Sequence, residues 1–67
     1  MSEQSERFIR LDEVMSRTGL KRSTIYLKMK ANEFPKSISL GLNNVAWLES
    51  EVVEWMKEKV NQRNKTE

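Results

Sequence analysis

The chain has 67 residues, a length that allows one small domain of marginal stability. It contains neither cysteine nor histidine, which excludes disulfides, structural zinc sites and Ser-His or Cys-His catalysis, so we expect no enzyme, metal or cofactor. The net charge is only +2, but residues 17–36 hold six basic residues against Glu33, a local excess that favours contact with a polyanion.

The two ends of the chain are polar. The N-terminal residues are acidic and do not resemble a secretory signal peptide, and no run of about 18 apolar residues is present to cross a membrane. We therefore expect a cytoplasmic protein. Residues 1–7 are predicted to be a disordered tail, 8–61 the folded domain, and 62–67 a frayed C-terminal tail.

Two short helices come first in chain order. The spacing of apolar residues predicts a helix over about 12–18, which Gly19 ends because glycine readily adopts a positive φ. A second helix is predicted over about 22–31, where Ile25 and Met29 form an apolar stripe. Two short helices joined by a turn that contains glycine are typical of a helix-turn-helix.

A hairpin and a third helix complete the predicted fold. Large apolar residues alternate with serine over 38–40 and with Asn44 and Ala46 over 44–47, and the intervening Gly41-Leu42-Asn43-Asn44 has the composition of a turn. A final helix is predicted over about 49–61, with Val52, Trp55, Met56 and Val60 on its apolar face. The fold class is therefore mainly α with a small β-hairpin, a winged helix-turn-helix with a two-stranded wing and a C-terminal helix.

The second predicted helix carries most of the candidate DNA-binding residues. Lys21 and Arg22 lie at its N-terminal end, which a recognition helix directs at base edges in the major groove. Arginine can donate two hydrogen bonds to guanine, while serine and threonine can bond to bases or phosphates. The candidate set is Lys21, Arg22, Ser23, Thr24, Tyr26, Leu27, Lys28, Lys30 and Lys36.

Several positions have a second interpretation. The basic residues also fit an ordinary solvated helix, and Leu27 fits packing against the hairpin or the third helix slightly better than contact with a thymine methyl group. The Tyr26 ring can pack while its hydroxyl reaches a phosphate. The wing tip has no cation, so the sequence leaves open whether it contacts DNA. Trp47 and Trp55 are assigned to the core rather than to base stacking.

Three segments resemble the AlpA family of phage and prophage transcriptional regulators. They are residues 19–26 (GLKRSTIY), 33–36 (EFPK) and 45–52 (VAWLESEV), followed by Glu54-Trp55, and the resemblance runs over about 8–59. It implies a winged helix-turn-helix similar to MerR-type DNA-binding domains and phage excisionases, with Arg22, Ser23, Thr24 and Tyr26 in the recognition helix. The chain departs from the family at Leu27, where a basic residue is common, and at Asn43, where arginine is common.

The leading hypothesis is a sequence-specific regulator that binds duplex DNA of a prophage or integrated element. One alternative is an excisionase that binds and bends attachment-site DNA. Another is a protein-interaction module that uses the last helix, where Val53 is an additional apolar residue. Because one small module covers little DNA, self-association or tandem binding on DNA would add specificity.

Overall fold

The computed structural model describes residues 6–66, and side chains of residues 6–63. The described residues form, in chain order, β1 (Phe8–Ile9), α1 (Leu11–Thr18), α2 (Arg22–Lys30), β2 (Ile38–Gly41), β3 (Asn44–Leu48) and α3 (Glu49–Thr66). This architecture confirms the predicted fold class. Most of the predicted N-terminal tail, residues 1–5, lies outside the described residues, as does residue 67. No helix in the described range is long and apolar enough to span a membrane.

The turn between α1 and α2 depends on Gly19. This residue has φ 75° and ψ 9°, and its N–H donates to the carbonyl oxygen of Met15 at 2.8 Å. Such a left-handed conformation suits glycine, which has no Cβ. The Thr18 hydroxyl donates to the Val14 carbonyl and accepts a hydrogen bond from the Leu20 N–H. This side chain therefore links the last turn of α1 to the residue that follows Gly19. The predicted glycine stop is confirmed.

The C-terminal end of α2 is closed by a second left-handed residue. Asn32 has φ 62°, its N–H donates to the Met29 carbonyl, and the N–H of Glu33 donates to the Lys28 carbonyl at 2.7 Å. These two bonds form a Schellman motif, in which asparagine takes the place usual for glycine. The chain reverses direction here and places the next residue, Phe34, in the core.

The sheet has one more strand than the sequence predicted. β3 lies between β1 and β2, with Ile9 opposite Trp47 and Ile38 opposite Ala46, all antiparallel. The predicted two-stranded wing is therefore part of a three-stranded sheet. Ala46 and Trp47 are both fully buried despite their alternation, because β3 is the central strand and packs against both α1 and α3.

A single cluster of buried side chains joins these elements. Ile9 of β1, Val14 of α1, Ile25 of α2, Trp47 of β3 and Val52 of α3 are each essentially inaccessible to solvent, and Phe34 joins them from the segment before β2. The core thus takes one residue from each helix and from two of the strands. It fixes α2 against α1 and the sheet through Ile25.

The third helix is longer than predicted. It continues to Thr66, past the expected end at residue 61, because no glycine or proline interrupts its polar C-terminal residues. Val60, assigned to the apolar face, is 49% exposed. It lies eight residues beyond the buried Val52, about 12 Å farther along the helix at the usual rise per residue. The proposed division into a domain and two tails stays a prediction.

Candidate nucleic-acid interface

Helix α2 buries one side and exposes the other. Ile25 is fully buried, while Thr24, Lys28 and Met29 are half-buried at its flanks. The exposed members of the predicted set around this helix are Lys21, Arg22, Ser23, Tyr26, Leu27 and Lys30. Because Ile25 packs in the core, the exposed residues of α2 lie on the side of the helix that faces away from the core.

The cations of this face are not neutralised by neighbouring carboxylates. None of Lys21, Arg22, Lys28 or Lys30 forms an ion pair with a described acidic residue. The first turn of α2 also contains no acidic residue, so the positive end of its dipole is uncompensated. The face therefore has the electrostatic character of an anion-binding surface.

Arg17 belongs to the basic segment of the sequence but not to this face. Its guanidinium lies 2.8 Å from a carboxylate oxygen of Glu13 on α1 and 2.8 Å from Glu49 at the start of α3. Hydrogen bonds to Glu13 and then to Glu49 raise the pKa of Arg17 above its ordinary value. Its charge is balanced within the fold, where it joins α1 to α3.

A cleft lies beside α2, between the start of α1 and the wing. Its lining residues are Arg10, Leu11, Asp12, Arg22, Tyr26, Asn43 and Val45. Arg22 and Tyr26 are one helical turn apart, so they share one face of α2. Arg10 Nη2 donates to Asn44 Oδ1 at 3.3 Å, which connects the residue before α1 to the first residue of β3.

Arg10 is the residue of this region that sequence reasoning missed. It lies outside the basic segment 17–36, and its neighbours in sequence give no sign of the wing. The arginine approaches the wing because β1 pairs with β3, a contact between residues nearly forty positions apart. Because β1 is only two residues long, no local pattern in the sequence could have revealed this approach.

Tyr26 and Leu27 differ in their packing. The Tyr26 ring contacts Trp47 edge-on, with centroids 6.4 Å apart, and the residue remains 38% exposed, which agrees with the packing predicted for the ring. Leu27 is 68% exposed, so the slightly favoured interpretation that it packs against the hairpin or α3 is wrong. It lies two residues from Ile25, which places it on the far side of the helix.

Lys36 lies apart from the N-terminal half of α2, whereas Asn43 at the wing tip lines the cleft beside Arg22. Lys36 lines a separate groove together with the carboxylate-bearing residues Glu51, Glu54 and Glu58 of α3. The structure therefore does not bring it together with Arg22. At the wing tip, Leu42 is 89% exposed.

Within the described residues no group of three or more acidic side chains is arranged to hold a metal ion.

Comparison with known proteins identifies relatives along nearly the whole domain. The model of the family described as prophage CP4-57 regulatory protein (AlpA) matches residues 7–60. A protein of Enterobacteria phage P4, named uncharacterized protein ORF88, is 52% identical over 60 residues, covering 90% of this chain and 68% of its own length. The DNA-binding transcriptional activator AlpA of Escherichia coli (strain K12) is 39% identical over 59 residues, covering 79% of this chain and 84% of its own length.

Proposed function

Because the chain belongs to the family of the prophage CP4-57 regulatory protein (AlpA), we propose that it binds duplex DNA sequence-specifically and regulates transcription from a prophage or integrated element. The relative in Escherichia coli is named a DNA-binding transcriptional activator, which supports this proposal. The observation that carries it is the exposed face of α2, whose cations have no ion-pair partner among the described residues. Such a regulator would act in the cytoplasm, at the DNA.

In the proposed complex, α2 occupies the major groove. A helix with its side chains is about 10–12 Å across and the groove is about 12 Å wide, so one helix fits. The N-terminal end of α2 enters first, where Arg22 can donate two hydrogen bonds to a guanine and Ser23 and Thr24 can bond to bases or phosphates. Lys28 and Lys30, farther along the helix, would lie near the phosphate backbone.

The experiment that tests this proposal is fluorescence anisotropy of labelled duplexes. One duplex comes from the region upstream of the gene and the other has random sequence, and both are titrated across a salt series. We expect tighter binding to the upstream duplex, with a log–log salt slope of roughly −3 to −5 because a handful of phosphates are neutralised. Absence of binding to either duplex at low salt would contradict the proposal and favour a protein-interaction module.

Arg22→Ala tests the role of the recognition helix. If Arg22 contacts a base, the variant loses about 1–3 kcal/mol of affinity for the upstream site and less for random DNA. The matched control is Lys57→Ala, which removes one exposed positive charge from α3 and leaves α2 intact. Equal losses on both duplexes would make Arg22 a phosphate contact.

Two measurements distinguish a transcriptional regulator from the excisionase alternative. They are the bending of DNA by the bound protein and its relative affinity for a promoter duplex and an attachment-site duplex.

A further inference from the structure

We propose that the cleft between the start of α1, α2 and the wing binds one phosphodiester group of the DNA backbone, with Arg10 as its main ligand. This inference rests on the proposed function and adds a contact outside the recognition helix. Tyr26 lines the same cleft, and its hydroxyl would be a second donor to that phosphate. The contact would fix the register of α2 on the duplex, since phosphate contacts orient a protein without selecting a sequence.

The backbone of Arg10 is held in place by α1. The residue is the N-cap of that helix, with φ −90° and ψ 171°, and its carbonyl oxygen accepts the N–H of Val14 at 3.0 Å. One residue earlier, Ile9 is paired with Trp47 in the sheet. The Cα of Arg10 is therefore fixed by both a strand and a helix.

The guanidinium of Arg10 is also oriented. Its single described hydrogen bond, from Nη2, is to the neutral amide oxygen of Asn44. An arginine has five N–H donors, so most of them remain available to an incoming acceptor. Because no described carboxylate pairs with Arg10, its charge is available as well. An oriented, unpaired guanidinium matches the geometry of a phosphate group.

The charges that line the cleft favour an anion. Arg10 and Arg22 contribute two positive charges, and Asp12 contributes one negative charge. The Asp12 carboxylate accepts the N–H of Glu13 at 2.9 Å, so this hydrogen bond directs it to the backbone of α1. It forms no ion pair with either arginine in the described structure. Tyr26 is neutral, and its ring is positioned by Trp47.

The test is the salt dependence of DNA binding by Arg10→Ala. We expect weaker binding to the upstream duplex and to random DNA by the same factor, because a phosphate contact is independent of sequence. The log–log salt slope should become shallower by about 0.9, so the difference in affinity between wild type and variant narrows about threefold to fourfold from 50 to 200 mM salt. The melting temperature measured by circular dichroism reports whether the fold is retained.

Two controls separate a phosphate contact from a structural role. Asn44→Ala removes the hydrogen bond to Arg10 but keeps its charge, so the salt slope should stay that of the wild type. Lys57→Ala removes an exposed charge on α3, and its slope should also be unchanged. A wild-type slope for Arg10→Ala, or a loss confined to the upstream duplex, would overturn the inference.

Further outcomes distinguish a DNA phosphate from free phosphate as the ligand. They also distinguish failure of the proposed function from failure of the Arg10 inference. Inorganic phosphate, compared with chloride at equal ionic strength, should compete with DNA for the wild type and should lose this advantage in Arg10→Ala, because both ligands would occupy the same cleft. If Arg10→Ala lost phosphate binding but kept the wild-type salt slope for DNA, the cleft would be a site for free phosphate and the DNA assignment would be overturned. If the wild type binds no duplex, the proposed function fails and the inference fails with it. If the wild type binds and Arg10→Ala behaves identically, the inference alone fails.

Discussion

The indole N–H of Trp47 donates to the carbonyl oxygen of Pro35 at 3.0 Å, from a side chain that is fully buried. Trp55 does the same for Glu33 at 2.8 Å, and its ring packs edge-on against Phe34 with centroids 4.8 Å apart. Two tryptophans from β3 and α3 thus hold the carbonyl groups on either side of Phe34. These contacts hold the segment that joins α2 to the wing against β3 and α3.

Trp47→Ala is expected to remove a large part of the stability of the domain. Truncation of a buried aromatic residue costs about 3–5 kcal/mol, and a chain of this length has a total stability of about 3–10 kcal/mol. Trp47→Phe keeps a ring in the core but leaves the Pro35 carbonyl without its donor, which should cost about 1–3 kcal/mol. Urea denaturation followed by circular dichroism measures both variants. A fully stable Trp47→Ala variant would contradict the assignment of Trp47 to the core.

Gly19→Ala should destabilise the domain through backbone conformation alone. A Cβ on Gly19 would meet no atom within 4 Å, so no steric clash contributes, but the φ of 75° lies in the left-handed region. That region costs an alanine about 1–2 kcal/mol, which corresponds to a fall in melting temperature of roughly 4–16 °C for a domain this small. Gly19→Asn is the matched control, since asparagine adopts this conformation more readily. Equal melting temperatures for wild type and Gly19→Ala would refute the argument.

Local sequence signals were sufficient to predict the helices and turns. The positive φ of Gly19, the apolar spacing around Ile25 and the turn composition of residues 41–44 each depend on neighbours a few positions away. β1 has only two residues, too few to show an alternating pattern. Its existence depends on pairing with β3 across nearly forty positions, which no local pattern encodes.

Only part of the candidate site could be predicted, because some of its contacts join residues that are distant in sequence. The exposure of Arg22 follows from helical periodicity around Ile25, whereas the approach of Arg10 to Asn44 depends on the sheet. The ion pair of Arg17 with Glu49 joins residues 32 positions apart. Counting charges along the chain therefore included one arginine that is paired within the fold and omitted one that lines the cleft.

Arg17→Ala should change stability rather than DNA binding. The variant leaves Glu13 without its partner and removes the connection from α1 to Glu49, so the domain becomes less stable at low salt. The loss should shrink as salt is added, because ion pairs at a partly exposed site are screened. The salt slope of DNA binding should match that of the wild type. Thermal melts at two salt concentrations, with the anisotropy series, test both expectations.

Lys28→Ala should change DNA binding rather than stability, the opposite of what is expected for Arg17→Ala. Lys28 lies on α2 without an ion-pair partner among the described residues, so its removal should make the DNA salt slope shallower by about 0.9. Its effect on the free energy of unfolding should stay within about 0.5 kcal/mol. If Arg17→Ala, and not Lys28→Ala, altered the slope, the assignment of α2 as the basic DNA-binding face would be wrong.

Leu27→Ala should leave stability nearly unchanged and alter contact with one thymine. Since the side chain is 68% exposed, its truncation should change the free energy of unfolding by less than about 0.5 kcal/mol. If Leu27 packs on a thymine methyl group, replacing that thymine with deoxyuridine weakens wild-type binding by about 0.8 kcal/mol, the value of one buried methylene-sized group. The same replacement should have no effect on Leu27→Ala, which closes a double-mutant cycle.

The matched control for Leu27 is Leu42→Ala, at the wing tip. Leu42 is 89% exposed, so its truncation also spares the core, but it lies on the wing rather than on α2. This variant should keep the wild-type sensitivity to deoxyuridine at the position that Leu27 contacts. If scanning every thymine of the site finds none whose methyl group matters more to the wild type than to Leu27→Ala, then Leu27 makes no such contact, and its exposure on α2 serves another purpose.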